Sequence, residues 1–147
     1  MPEIRRLAEP DRQAWIRLRI ALWPREDATG FDEDITGMLA DPAAMPAFGA
    51  FEGERLVGFA EAGERPWGDG CETAPLGWLE GIYVNPDYRR QGIGTALVAA
   101  VTDWAKARGY AELGSDAALE NHVSLQSHAE WGFEETKRIV MFRKWLK

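Results

Sequence analysis

The chain is poor in the residues that build covalent and metal frameworks. Its 147 residues include one cysteine, Cys71, and two histidines, His122 and His128. A lone thiol makes no internal disulfide, which fits a reducing compartment and the expectation of a cytoplasmic protein. So few soft ligands give no reason to expect a structural zinc site, and no metal is expected in the chemistry. No apolar run approaches the roughly 20 residues of a membrane span. The first residues, Met1-Pro2-Glu3-Ile4-Arg5-Arg6, carry no apolar signal core, so no membrane partner is expected. Positive charge is also scarce: 17 Lys and Arg against 24 Asp and Glu leave a net charge of −7. An acidic surface repels nucleic-acid backbones, so nucleic acid is not expected as a partner. The same acidity suits a cationic ligand, and equally it suits plain solubility.

What is present reads as one domain over residues 1–147, long enough for a real core. Glu3 to Ala8 can open a strand. Pro10, then Ala14, Trp15, Leu18 and Leu22 at helical spacing, predict an amphipathic helix that Trp23-Pro24 ends. Phe31 to Leu39 predicts a weaker second helix. Met45 to Phe51 and Arg55 to Ala62 flank Glu52-Gly53-Glu54 as a β-hairpin. Residues 63–76 hold Gly63, Pro66, Gly68, Gly70 and Pro75 and read as a functional loop or an irregular strand extension. Leu76 to Val84 predicts the central strand, followed by a turn at Asn85-Pro86-Asp87. Gly92 to Arg108 predicts a helix that Gly109 closes. A short strand at Tyr110 to Ser115, a short helix at Asn121 to Trp131 and a last strand at Ile139 to Trp145 complete the chain. This order is an α+β pattern with one mixed sheet.

The stretch Arg89-Arg90-Gln91-Gly92-Ile93-Gly94 stands between an apolar strand and a helix. Its glycines let backbone N–H groups approach a ligand, and its arginines and the helix start add positive charge. That combination suits a pyrophosphate. It is neither G-x-x-x-x-G-K-S/T nor the dinucleotide signature G-x-G-x-x-G.

Arg89-x-x-Gly92-x-Gly94 resembles the acetyl-coenzyme A loop of the GCN5-related N-acetyltransferases, whose order of elements also matches over essentially the whole chain. Leu22-Trp23-Pro24, the loop Asp69 to Pro75, Leu79 to Val84, Ser115-Asp116 and Gly132 to Thr136 resemble the aminoglycoside 6'-N-acetyltransferases within that superfamily. The resemblance implies a single mixed, mostly antiparallel twisted sheet with helices on both faces. It implies acetyl-coenzyme A as co-substrate, a cationic aminoglycoside as acceptor, resistance to it as the outcome, and a homodimer with shared C-terminal strands.

The resemblance also assigns residues. Arg89, Arg90, Gln91, Gly92, Ile93, Gly94 and Thr95 would hold the pyrophosphate. Ile82, Tyr83 and Val84 would pair with the pantetheine arm and supply a backbone N–H to the thioester oxygen, while also serving as plain buried strand. Gly81 can permit a bulge that splays this strand from its neighbour. Asn121 would bind the arm and cap the last helix. Asp116 would bind the acceptor and act as base or proton relay, and Glu80 would orient the acceptor. The plain alternatives are that Asp116 caps a turn and Glu80 pairs with an arginine. His128 stands where many superfamily members carry a tyrosine, and either protonates the departing thiolate or is a helix residue. Trp23 and Trp67 would wall the acceptor site, with Glu72 binding a further amine. Lys137 departs from the family pattern, which has an acid there. It favours as alternatives another cationic amine, such as a polyamine, a peptide or a metabolite. A non-catalytic acyl-coenzyme A-binding regulatory module is the remaining alternative.

Overall fold

The computed structural model describes residues 2–24 and 27–147. Five strands form one sheet in the order β1-β2-β3-β4-β5. They are β1 (Glu3–Arg6), β2 (Ala47–Glu52), β3 (Arg55–Arg65), β4 (Leu76–Val84) and β5 (Leu113–Gly114). The first four are antiparallel to their neighbours, and β5 runs parallel to β4. The helices are α1 (Arg12–Leu22), α2 (Ala28–Ala40), α3 (Ile93–Ala107) and α4 (His122–Glu130).

The sheet order makes β3, not β4, the central strand. β3 is buried from Leu56 to Gly63, as expected of a strand covered on both faces. One face packs Val57, Ala60, Ala62 and Leu79 against Ile93, Leu97, Val101 and Trp104 of α3. The other packs Leu56 and Phe59 against Trp15 of α1 and Ile35 and Met38 of α2. The mixed sheet with helices on both faces is therefore as expected.

α2 starts earlier than its apolar pattern suggests because Asp27 caps it, accepting the Thr29 N–H at 2.9 Å. β3 continues to Arg65, so the turn-rich segment shrinks to residues 66–75. β5 is only two residues long, since only Leu113 and Gly114 find partners on β4. The strand expected at Ile139 to Trp145 is absent: residues 133–147 have no regular structure. A strand needs a ladder partner, and that segment pairs with no strand among the described residues.

Candidate active site

Beyond Trp78, the edge of β4 away from β3 has no strand partner among the described residues. β5 pairs as Gly77↔Leu113 and Trp78↔Gly114 and then leaves. Backbone groups of alternate residues from Leu79 to Val84 therefore face a gap that an extended ligand arm can fill. Ile82, Tyr83 and Val84 lie half-buried along it. The ladder on the other side is irregular here: Glu61 pairs with Gly81 and Ala62 with Leu79, which makes Glu80 the extra residue of a bulge. Glycine at 81 has its own cause. A Cβ there would lie 2.6 Å from the Trp23 ring.

β4 runs through a 3-10 turn, Pro86–Tyr88, into the glycine loop. Arg90 (φ 62) and Gly92 (φ 79) both take the left-handed conformation and turn the chain into α3. The Ala96 N–H bonds back to the Gly92 carbonyl at 3.0 Å. Those of Ile93, Gly94 and Thr95, in the first turn, have no helical partner. With exposed Arg90 and the positive end of the helix dipole, they make a seat for an anion. Gln91 and Thr95 are exposed beside it.

Two loop residues do other work. Arg89 donates from Nε to the Val84 carbonyl at 2.8 Å and braces the end of β4. At Gly94 a Cβ would lie 3.1 Å from Trp131, so this glycine seats α4 on α3. The Asn121 side-chain oxygen caps α4 by accepting the Ser124 N–H at 3.1 Å.

On the other side of the gap, Trp23 is half-buried, tilted against Phe31 at 6.1 Å and edge-on to Phe59 at 6.5 Å. It and Glu80 flank Gly81. Glu80 accepts both arms of Arg65, at 2.6 Å from Nη2 and 3.1 Å from Nε. Both side chains are a little over a third exposed, so the pair remains within reach of solvent. The expected alternative for Glu80, an arginine partner, is thus present. Asp116 is exposed two residues past β5 and enters no hydrogen bond or ion pair among the described residues. It caps nothing.

His128 is held on both ring nitrogens. Nδ1 lies 2.7 Å from the Ser124 carbonyl, so it carries the proton and donates it there. Nε2 lies 2.8 Å from Ser115 Oγ. Ser115 Oγ is also 3.4 Å from the Leu79 carbonyl. This clasp ties α4 to β4 beside Asp116.

Trp67 is 66% exposed and Glu72 is exposed, both in the 66–75 loop. That loop is anchored by Glu112, which accepts the N–H groups of Glu72 and Thr73 at 2.8 and 2.6 Å. Burial and the same Glu112 push the Cys71 thiol above its ordinary pKa, which makes it a poor nucleophile. Lys137 pairs with Asp69 at 3.1 Å, so its charge is offset within the site. Glu135 pairs with Arg138. Among the described residues no group of three or more His, Cys, Asp or Glu is arranged to hold a metal. None of their helices is long and apolar enough to cross a membrane.

Beneath Trp23 lies a charged cluster that the helical pattern hides. Glu61 and Arg19 are 3% and 6% exposed. Glu61 accepts Trp15 Nε1 at 2.8 Å and faces Arg19 Nε at 3.3 Å. Burial pushes the Glu61 carboxyl up to about 7, against the opposing pull of Arg19 and the Trp15 N–H.

Residues 3–133 match the family model of the acetyltransferase (GNAT) family. A relative from Klebsiella aerogenes, "Aminoglycoside N(6')-acetyltransferase type 1", is 40% identical over 97% of this chain and 96% of its own length. The crystal structure of the aminoglycoside antibiotic 6'-N-acetyltransferase AAC(6')-IG from Acinetobacter haemolyticus superposes with a TM-score of 0.91 at 34% identity, covering 99% of both chains. The structure of AAC(6')-Iy in complex with the bisubstrate analogue CoA-S-monomethyl-acetylneamine superposes with a TM-score of 0.93 at 33% identity, again over 99% of each chain.

Proposed function

Because this chain belongs to the acetyltransferase (GNAT) family, we propose that it transfers the acetyl group of acetyl-coenzyme A to the 6'-amine of an aminoglycoside and so confers resistance. The observation that carries this reading is the open edge of β4 running directly into the 89–95 loop. A long arm ending in a pyrophosphate fits an added strand followed by an anion seat. The AAC(6')-Iy complex, whose ligand joins coenzyme A to an acetylated neamine, supports both halves of the assignment.

The acceptor is an alkylammonium of pKa roughly 10 and must lose a proton before it attacks. Glu80, already shared with Arg65, keeps unused lone pairs that can orient the ammonium. Asp116 is the free, water-accessible acid, and it receives the proton through water. Solvent takes that proton onward. The amine lone pair forms the C–N bond while a β4 N–H stabilises the oxyanion. Collapse breaks the C–S bond, sulfur leaves as thiolate, and the acylated nitrogen sheds its second proton to water. A thiol pKa of about 8.5 makes that thiolate a fair leaving group that water protonates, so His128 positions rather than donates. Trp23 and Trp67 wall the acceptor, Glu72 meets a further amine, and Asn121 offers its amide N–H to the arm.

The same reading places one acetyltransferase domain over residues 1–147 in the cytoplasm as a homodimer. Ile139, Val140, Met141, Phe142, Trp145 and Leu146 are 55–92% exposed in a segment without a ladder partner, as an edge shared with a second copy would be. Light scattering on the intact chain should give twice the monomer mass. Removal of residues 139–147 should give the monomer, and a monomeric intact chain would refute the dimer.

Thiol release measured with kanamycin, spermidine and a lysine peptide at equal concentration tests the acceptor. The aminoglycoside should be turned over at least tenfold faster, since each ~1.4 kcal/mol of selective contact is tenfold. Faster turnover of spermidine or peptide would move the assignment to another amine. Binding of acetyl-coenzyme A with no turnover of any amine would favour the regulatory module.

A further inference from the structure

We propose that the buried Arg19–Glu61 pair is a positioning unit for the acceptor side of the site, holding the Trp23 ring against Gly81 and fixing the bulge that presents Glu80. This rests on the reading of Trp23 and Glu80 as acceptor contacts.

Trp15 and Arg19 stand one helical turn apart on the inner face of α1. A core position there calls for an apolar residue, because a buried charge is costly even when paired. Arg19 is not well paired for stability. Its Nη2 is 3.3 Å from Asp34 Oδ2, its Nη1 is 3.5 Å from the Phe31 carbonyl, and its Nε, 3.3 Å from Glu61 Oε2, is buried without a hydrogen bond of good geometry. Arg19 does meet aromatic faces: the guanidinium carbon lies 5.0 Å from the Trp23 ring and 4.7 Å from Phe31. A desolvated cation over an indole fixes the ring's place more firmly than an alkyl contact does.

The other end of the pair reaches the bulge. Glu61 is the β3 partner of Gly81, at the register shift that leaves Glu80 extra on β4. The Trp23 ring sits on that same Gly81. One ion pair therefore stands behind both flanks of Gly81, with α1, α2 and β3 each contributing to it.

The test separates positioning from folding. The paired substitution Arg19→Met with Glu61→Gln removes both charges and keeps an acceptor for Trp15 Nε1, so neither a buried ion nor that indole N–H is left unpaired. It should keep the melting temperature, leave the KM for acetyl-coenzyme A and kcat at saturating aminoglycoside within about twofold, and raise the aminoglycoside KM about tenfold. Glu61→Gln alone should raise the aminoglycoside KM in the same way. Trp23→Ala is made alongside. An unchanged aminoglycoside KM in Trp23→Ala would remove Trp23 from the acceptor site and this inference with it. A raised KM in Trp23→Ala, with an unchanged one in the folded double variant, would overturn the inference alone. Parallel rises in both substrates' KM would also overturn it.

Discussion

Asp116→Asn is expected to lower kcat by about 100-fold or more while changing the acceptor KM only a few-fold. The expectation follows from how the two acids differ. Glu80 is bound on both oxygens by Arg65, whereas Asp116 is exposed and bound to nothing among the described residues. A free carboxylate in water's reach can pass a proton on, and an amide of the same shape cannot. Asn still accepts a hydrogen bond from the ammonium, so binding survives in part. A larger loss in KM than in kcat would reduce Asp116 to a binding residue. Stopped-flow thiol release across pH separates the two cases, because an acceptor already deprotonated to the free amine at high pH should partly rescue the Asn variant.

Gly114→Ala should destabilise the fold by about 3 kcal/mol, at the upper end of the usual cost of overpacking. A Cβ at 114 would overlap the benzo edge of the Trp78 indole, with Cys71 Sγ at 3.1 Å as the next neighbour. The ring has little room to retreat. It is 3% exposed, Gly68 approaches the same edge so closely that its own Cβ would lie 2.5 Å away, and Arg65 covers the ring at 4.2 Å. Relief must come from moving β5 away from β4, across the two ladder pairs that β5 makes. Asp116 follows directly, so activity should fall with stability. A 3 kcal/mol loss lowers the melting temperature by about 10 °C in a domain of this size. Gly37→Ala is the internal contrast. It lies in α2 with nothing within 4 Å of its Cβ position, and it should stabilise by about 0.5–1 kcal/mol. Equal effects of the two substitutions would refute the packing explanation.

The sequence made the donor side legible because its chemistry is local. β4 is an apolar run between turn residues, and the glycine loop and α3 follow it within a few positions. The acceptor side depends on contacts between distant segments. Arg65 meets Glu80 through a bulge that shifts the β3–β4 register, which no alternation pattern reveals. Arg19 and Glu61 are charged residues at core positions, where periodicity expects apolar ones. A charged residue on the apolar stripe of α1 was the available signal. Glu112 anchors a loop 39–40 residues earlier in the chain, beyond any local reading. At the C-terminus, strand propensity was visible at Ile139 to Trp145, but propensity does not supply the neighbour that a strand requires. The displacement of the central position from β4 to β3 has the same origin: sheet order is a property of pairing, not of composition.

Acetyl transfer to one particular amine is read by the initial rate of thiol release from acetyl-coenzyme A with an aminoglycoside bearing a 6'-amine, beside its counterpart bearing a 6'-hydroxyl. Turnover of the first, giving a product acetylated at the 6' nitrogen, with no turnover of the second, is the expected result. Equal turnover of the two, or turnover of neither, would contradict it.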